Sequence, residues 1–213
     1  PLAAEVGEVD EYNVLAYNLE ILKKEIESFA CVETDDFIIR LPVEEAGIYG
    51  DRVVDLLTEA KEVLGEKYGL SIEDPTLVEF YPNQQDFAIR SFGSLGGQGL
   101  LGVCFGSVVT MNSPGSVTAG KNNWEATLWH EYCHVVTLTA TKNRMPRWLS
   151  EGISVYEEIQ RNALWGQTMT PSYRKMILEE EALTPISEMS QAFFQAESGQ
   201  PILVAECQSR LGV

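Results

Sequence analysis

His130-Glu131-Tyr132-Cys133-His134 holds both histidines of the 213-residue chain. On an α-helix, side chains four apart lie on one face about one turn from each other. Both imidazoles can then reach a single metal ion. Glu131 is turned roughly 100° round such a helix from His130, close enough to meet a water on that metal without binding it. Asn122 or Asn123 offers an N-cap before Trp124-Glu125-Ala126-Thr127-Leu128-Trp129, and Val135, Val136 and Leu138 continue an apolar stripe beyond the motif. A surface helix with two ordinary histidines fits such flanks poorly. In a mostly buried helix, two unpaired imidazoles would be costly, and a ligand held in common removes the cost.

A hydrolytic zinc site commonly has three protein ligands and leaves a fourth position to water. Glu151 is the candidate third ligand, within Pro146-Arg147-Trp148-Leu149-Ser150-Glu151-Gly152. Pro146 suits the start of a second helix. The sixteen residues between His134 and Glu151 suffice for the first helix to end, turn through Thr139 to Arg144, and return. Gly152 would allow close helix approach beside the metal. Glu151 could instead serve only as a first-turn carboxylate favoured by the helix dipole. Glu157 and Glu158 compete as ligands, but two turns deeper they better suit a solvated face or a place behind the ligands.

The segments HEYCHVVT and MPRWLSEGISVYEE resemble the gluzincins, zinc peptidases with two histidines on one helix and a glutamate on the next. H-E-x-x-H is the shared motif. The wording around Glu151 is similar to the W-L-x-E-G-x-x-x-Y pattern of the aminopeptidase branch. The closer likeness is to the bacterial peptidase-MA-like domain, often found beside tetratricopeptide repeats, and it extends from about Phe37 to the C-terminus. The resemblance implies an α+β, zincin-like fold: a small twisted sheet, an active-site helix and a helical C-terminal part. It implies one Zn2+ on His130, His134 and Glu151, with Glu131 as catalytic carboxylate. Two departures stand out. No G-A-M-E-N-type exopeptidase signature is present. Val155 occupies the position, one turn after the glutamate ligand, where some gluzincins carry a carboxylate that orients a histidine.

Composition narrows the partners. A net charge of −17 argues against nucleic acid, whose phosphates need a basic surface. No uninterrupted apolar run is long enough for a membrane span. Cys31, Cys104, Cys133 and Cys207 form no C-x-x-C pair, and Cys133 reads as a small buried filler off the ligand face. The chain opens on Pro1 without a basic-then-apolar leader, which suggests a fragment or processed chain.

Residues 1–35 read as an amphipathic helix (Glu11 to Phe29) with an acidic connector (Cys31 to Asp36). That helix either ends a preceding helical repeat or docks on the domain. Residues 36–213 read as the metallopeptidase domain, with a further helix of the resembled fold expected beyond Cys207. Phe37–Leu41 and Thr76–Tyr81 are expected strands, and Ile48 to Tyr68 a long helix closed by Gly69. The glycine-rich span Gly93 to Gly102 lacks the Lys-Ser/Thr ending of a phosphate loop and reads as a turn between strands. Gly102 to Asn112 is β-rich. Within it Val108, Val109, Thr110, Met111 and Asn112 are the candidate edge strand for pairing with a peptide backbone. Trp165 to Pro171 reads as a link and Ser172 to Glu181 as a short helix.

The expected chemistry is peptide hydrolysis by a zinc-activated water, with Glu131 as general base. No third histidine is present to steady the oxyanion, and Tyr173 is a candidate donor. The partner is a peptide or protein substrate, with a helical-repeat region as a neighbour in the full-length chain. Two rivals remain: a catalytically silent zinc-binding interaction module, and a zinc hydrolase of a non-peptide amide.

Overall fold

The computed structural model describes residues 5, 10, 12–93, 100–116, 123–165, 171–178 and 184–195. The chain is α+β and divides into two compact units, Pro1–Leu56 with Glu73–Trp124, and Leu57–Ile72 with Glu125–Val213.

The first unit is built on a five-stranded sheet. β1 (Ala30–Glu33), β2 (Phe37–Leu41), β3 (Thr76–Tyr81), β4 (Gly102–Phe105) and β5 (Val108–Asn112) lie in the order β1-β2-β3-β5-β4. The three inner strands β2, β3 and β5 run parallel, and an antiparallel strand closes each side. β2 alternates as a strand with one face in a core must: Phe37, Ile39 and Leu41 are buried, Ile38 and Arg40 half-buried. β3, the middle strand, is buried at every position except Leu77, as expected for parallel pairing covered on both faces.

Helix α1 (Val14–Glu27) is capped by Asn13, whose side chain accepts from the Ala16 amide at 2.9 Å. Its Leu22 enters a core cluster with Tyr81, Phe87 and Ile89, and Ile26 and Phe29 pack beside them. The helix packs on the sheet unit. The Cys31-to-Asp36 connector is corrected. Ala30–Glu33 is a strand that pairs antiparallel with β2, so the sheet crosses the boundary expected at residue 35. A four-residue edge strand with only every second position half-buried carries too short an alternation to read as one.

Helix α2 (Val43–Tyr68) starts five residues before the expected Ile48. Gly47 and Gly50 argue against an earlier start, but Pro42 is placed to open the helix, with Glu44 and Glu45 in its first turn. It stops where expected, at Gly69 with φ +62°. Helix α3 (Gln84–Phe92) was not foreseen from the sequence. Its start signal is present, because Asn83 accepts from the Asp86 amide at 2.9 Å, and Gly93 ends it in the left-handed conformation.

The edge-strand assignment of Val108, Val109, Thr110, Met111 and Asn112 is also corrected. The turn at Gly106 (φ +65°) and Ser107 folds β4 back onto β5. β5 therefore spends its main-chain groups on β3 on one side and β4 on the other, and β4 is the outer strand. Residues 94–99 of the glycine-rich span lie outside the described part.

The second unit contains most of helix α4 (Trp124–Thr141), all of α5 (Arg147–Arg161), α6 (Pro171–Leu178) and α7 (Ile186–Gln195), and the later half of α2. α4 runs three residues into the expected turn, through Thr139, Ala140 and Thr141. Lys142 and Asn143 then reverse the chain with φ +54° and +58°. Trp129 is fully buried, edge-on to Trp165 at 6.2 Å, with the Arg161 guanidinium 5.7 Å from its ring. Arg161 also pairs with Glu59 at 2.7 Å, fastening α5 to the later half of α2. α6 covers part of the helix expected over Ser172 to Glu181. Among the described residues no helix is long and apolar enough to cross a membrane.

Candidate metal centre

α4 is buried along nearly its whole motif: Glu131, Tyr132, Cys133, His134, Val135 and Val136 are all inside. His130 and His134 present Nε2 atoms 3.1 Å apart, as their spacing on one helix face requires. Glu151, the fifth residue of α5, brings Oε2 to 3.3 Å from His130 Nε2 and 3.4 Å from His134 Nε2. Three ligand atoms from two helices thus converge, and this His-His-Glu group could hold a metal ion. Zinc bonds of about 2.0–2.1 Å at tetrahedral angles would set the ligand atoms roughly 3.4 Å apart. The observed triangle has that size.

The outer ring nitrogens explain why the inner ones are available. His130 Nδ1 is 2.5 Å from Glu158 Oε1. His134 Nδ1 is 2.8 Å from Ser150 Oγ and 3.3 Å from Ser154 Oγ. Such partners fix ring orientation and tautomer and leave Nε2 free to ligate. Arg147 Nε lies 3.3 Å from Glu151 Oε1, which turns the other carboxylate oxygen toward the histidines.

Glu158, not the residue at position 155, is the α5 carboxylate that meets the His130 ring. It stands seven residues after Glu151, which on a helix brings it back within about 20° of the same face. That spacing was the available signal. Ser150 and Ser154, four apart on α5, carry a weaker one. Glu157 does not sit on a solvated face. It is 2% exposed, accepts from Tyr68 Oη, and pairs with Lys67 at 2.7 Å. Cys133 stays out of the ligand group. Burial, the largest influence, pushes its thiol up to about 12, where it remains protonated and a poor ligand. Tyr173 falls within α6, with its side chain outside the described part.

Glu131 is 6% exposed, and its carboxylate receives no hydrogen bond from the described residues. Burial raises its pKa, opposed by the charges of His130 and His134. Burial would also raise Glu151, but the His134 charge and the hydrogen bonds with both histidines prevail and hold it well below the usual carboxylate range. Burial would lower His130. Its hydrogen bonds to Glu151 and Glu158 outweigh that and raise it well above the usual imidazole value.

These contacts favour the protonated form of His130 in the metal-free site. In that form, the stability from charged His130 is complete below the unfolded imidazole pKa and is lost as pH rises through the raised folded value. The stability from Glu151 is present above the unfolded carboxylate pKa and is lost as pH falls through its depressed value. A metal must displace the His130 proton. Zinc affinity is expected to rise with pH, by up to about tenfold per unit below the raised His130 value, as one proton leaves per ion. Competition titrations with a chromogenic chelator would measure the slope, and a flat profile would contradict the protonated resting state. Glu158→Gln is expected to weaken zinc by about 10–100-fold in the same titration. Unchanged affinity would mean that the Glu158 contact does not hold the ring.

No family model, curated protein or solved structure matches the chain.

Proposed function

We propose that the chain is a zinc-dependent metallopeptidase of the gluzincin type, with a zincin-like fold akin to the peptidase-MA-like domain. The observation that carries this reading is the His130–His134–Glu151 triangle, 3.1 to 3.4 Å on a side, with its outer nitrogens already engaged. The donor set, two imidazoles and one carboxylate oxygen, suits Zn2+ and matches a common catalytic ligand set.

Zinc bound there would supply Lewis acidity, polarising a carbonyl and making bound water acidic near neutral pH. The remaining work falls to the chain. Glu131, adjacent to His130 but not in the triangle, has an unengaged carboxylate whose pKa burial raises toward the working range of a general base. It would accept the water proton and pass it to the leaving amine. Glu158, Ser150 and Ser154 hold the two rings, and Arg147 holds Glu151. A silent binding module has no use for a buried carboxylate left unbonded beside its metal ligands, which favours catalysis over that rival.

The test is a mixed peptide library incubated with the zinc-loaded protein, with and without chelator, alongside simple non-peptide amides. Chelator-sensitive cleavage of peptides is the expected result. Amide turnover without peptide cleavage would move the protein to the non-peptide hydrolases. No turnover of either class, with zinc bound, would leave a silent module.

A further inference from the structure

The sheet unit holds a second polar centre, far in sequence from the histidine motif. Glu79 on β3 is 1% exposed. Its two carboxylate oxygens divide between two arginines: Arg40 on β2 lies 3.2 Å from Oε1, and Arg90 on α3 lies 2.7 Å from Oε2. Tyr81 Oη donates to Oε2 at 3.1 Å. Arg40 and Glu79 are register partners on adjacent parallel strands, so the pairing is fixed by the sheet.

Each guanidinium offers five N–H donors in a planar fork. Glu79 engages only one nitrogen of each, Arg90 also hydrogen-bonds Tyr81, and both arginine side chains remain more than a third exposed. The two arginines line a groove of about 500 Å³ beside α1. That volume is typical of small-molecule sites, about 300–1,000 Å³. Leu19, Leu22, Ile26 and Phe29 form its apolar wall. Its charged lining is Lys23, Arg40 and Arg90 against Glu27 and Glu79, three positive and two negative, a net of +1. In a chain of net charge −17, an apolar groove with a cationic end is unusual.

We propose that this groove binds a small aliphatic monocarboxylate, its carboxylate on the unused N–H groups of Arg40 and Arg90 and its hydrocarbon against Leu19, Leu22, Ile26 and Phe29. Two guanidinium forks suit a planar carboxylate, and the apolar wall selects against a bare inorganic anion. The site needs neither the histidines nor a metal.

Isothermal titration of the full chain with decanoate, below its micelle concentration, tests the proposal, with decanol as the uncharged control. Decanoate should bind saturably and at least tenfold more tightly than decanol. Arg40→Gln, which leaves Glu79 paired with Arg90, should weaken decanoate at least tenfold and leave decanol unchanged. Leu19→Glu, which does not touch the arginines, should also weaken decanoate and keeps the test open if Arg40→Gln fails to fold. Equal affinity for decanoate and decanol, indifference to both substitutions, or binding only of a peptide with a free C-terminal leucine would overturn the assignment.

Discussion

Glu131→Gln is expected to lower peptide turnover by about 10²–10⁴-fold, the usual contribution of a positioned general base. The substitution keeps size and shape and removes the proton acceptor. No fold interaction should be lost with it, because the Glu131 carboxylate takes no hydrogen bond from the described residues. Removing a buried charge should, if anything, favour the folded state, since burial already works against ionisation there. Zinc content should be unchanged, because Glu131 lies outside the ligand triangle. Turnover and zinc content measured on one preparation separate the two roles. Full turnover in the variant would remove Glu131 from the mechanism while leaving the metal site standing.

Zinc should strongly stabilise the helical unit. At free zinc about 1,000 times the dissociation constant, binding to the folded form alone contributes about 4.1 kcal/mol. For a chain of this size that corresponds to a rise of roughly 8–16 °C in Tm. The candidate ligands come from α4 and α5, elements separated by the Lys142–Asn143 reversal, so a bound ion would cross-link two helices that unfolding would part. His134→Ala should abolish the shift. Among the described residues no fourth His, Cys, Asp or Glu joins the His130–His134–Glu151 group, so the variant keeps only two of its ligands. A differential scanning fluorimetry series with and without zinc, on wild type and His134→Ala, would show this. An equal shift in both proteins would place the zinc elsewhere.

The grouping of His130, His134 and Glu151 was legible in the sequence because helical periodicity is local. Two histidines four apart must share a face, and Glu151 needed only a second helix to return beside the first. What lay behind the ligands was harder to read. Glu158 shares the face of Glu151, but whether a carboxylate at that position meets an imidazole or water depends on how two helices pack, which spacing alone does not determine. Glu157, beside it in sequence, is instead buried against Lys67 and Tyr68, residues about ninety positions away. The sheet repeats the lesson. β2 and β3 were readable from β-rich apolar runs closed by proline, whereas the interior position of β5 follows from a non-local fact, the folding back of β4. A short edge strand such as β1 has too few positions to carry a pattern. The α3 helix has a start signal in Asn83 and Asp86, but its nine residues are too few to carry a long apolar period.

The central claim, that His130, His134 and Glu151 together hold a catalytic zinc, is tested most directly by zinc K-edge X-ray absorption on the purified, zinc-loaded protein. The expected spectrum shows two imidazoles at about 2.0–2.1 Å and carboxylate and water oxygens at about 2.0–2.2 Å, with no sulfur. It should lose one imidazole contribution in His130→Ala. A sulfur scatterer at about 2.3 Å would bring a cysteine into the site and contradict the ligand assignment. Failure of the protein to take up zinc at all would contradict the account as a whole.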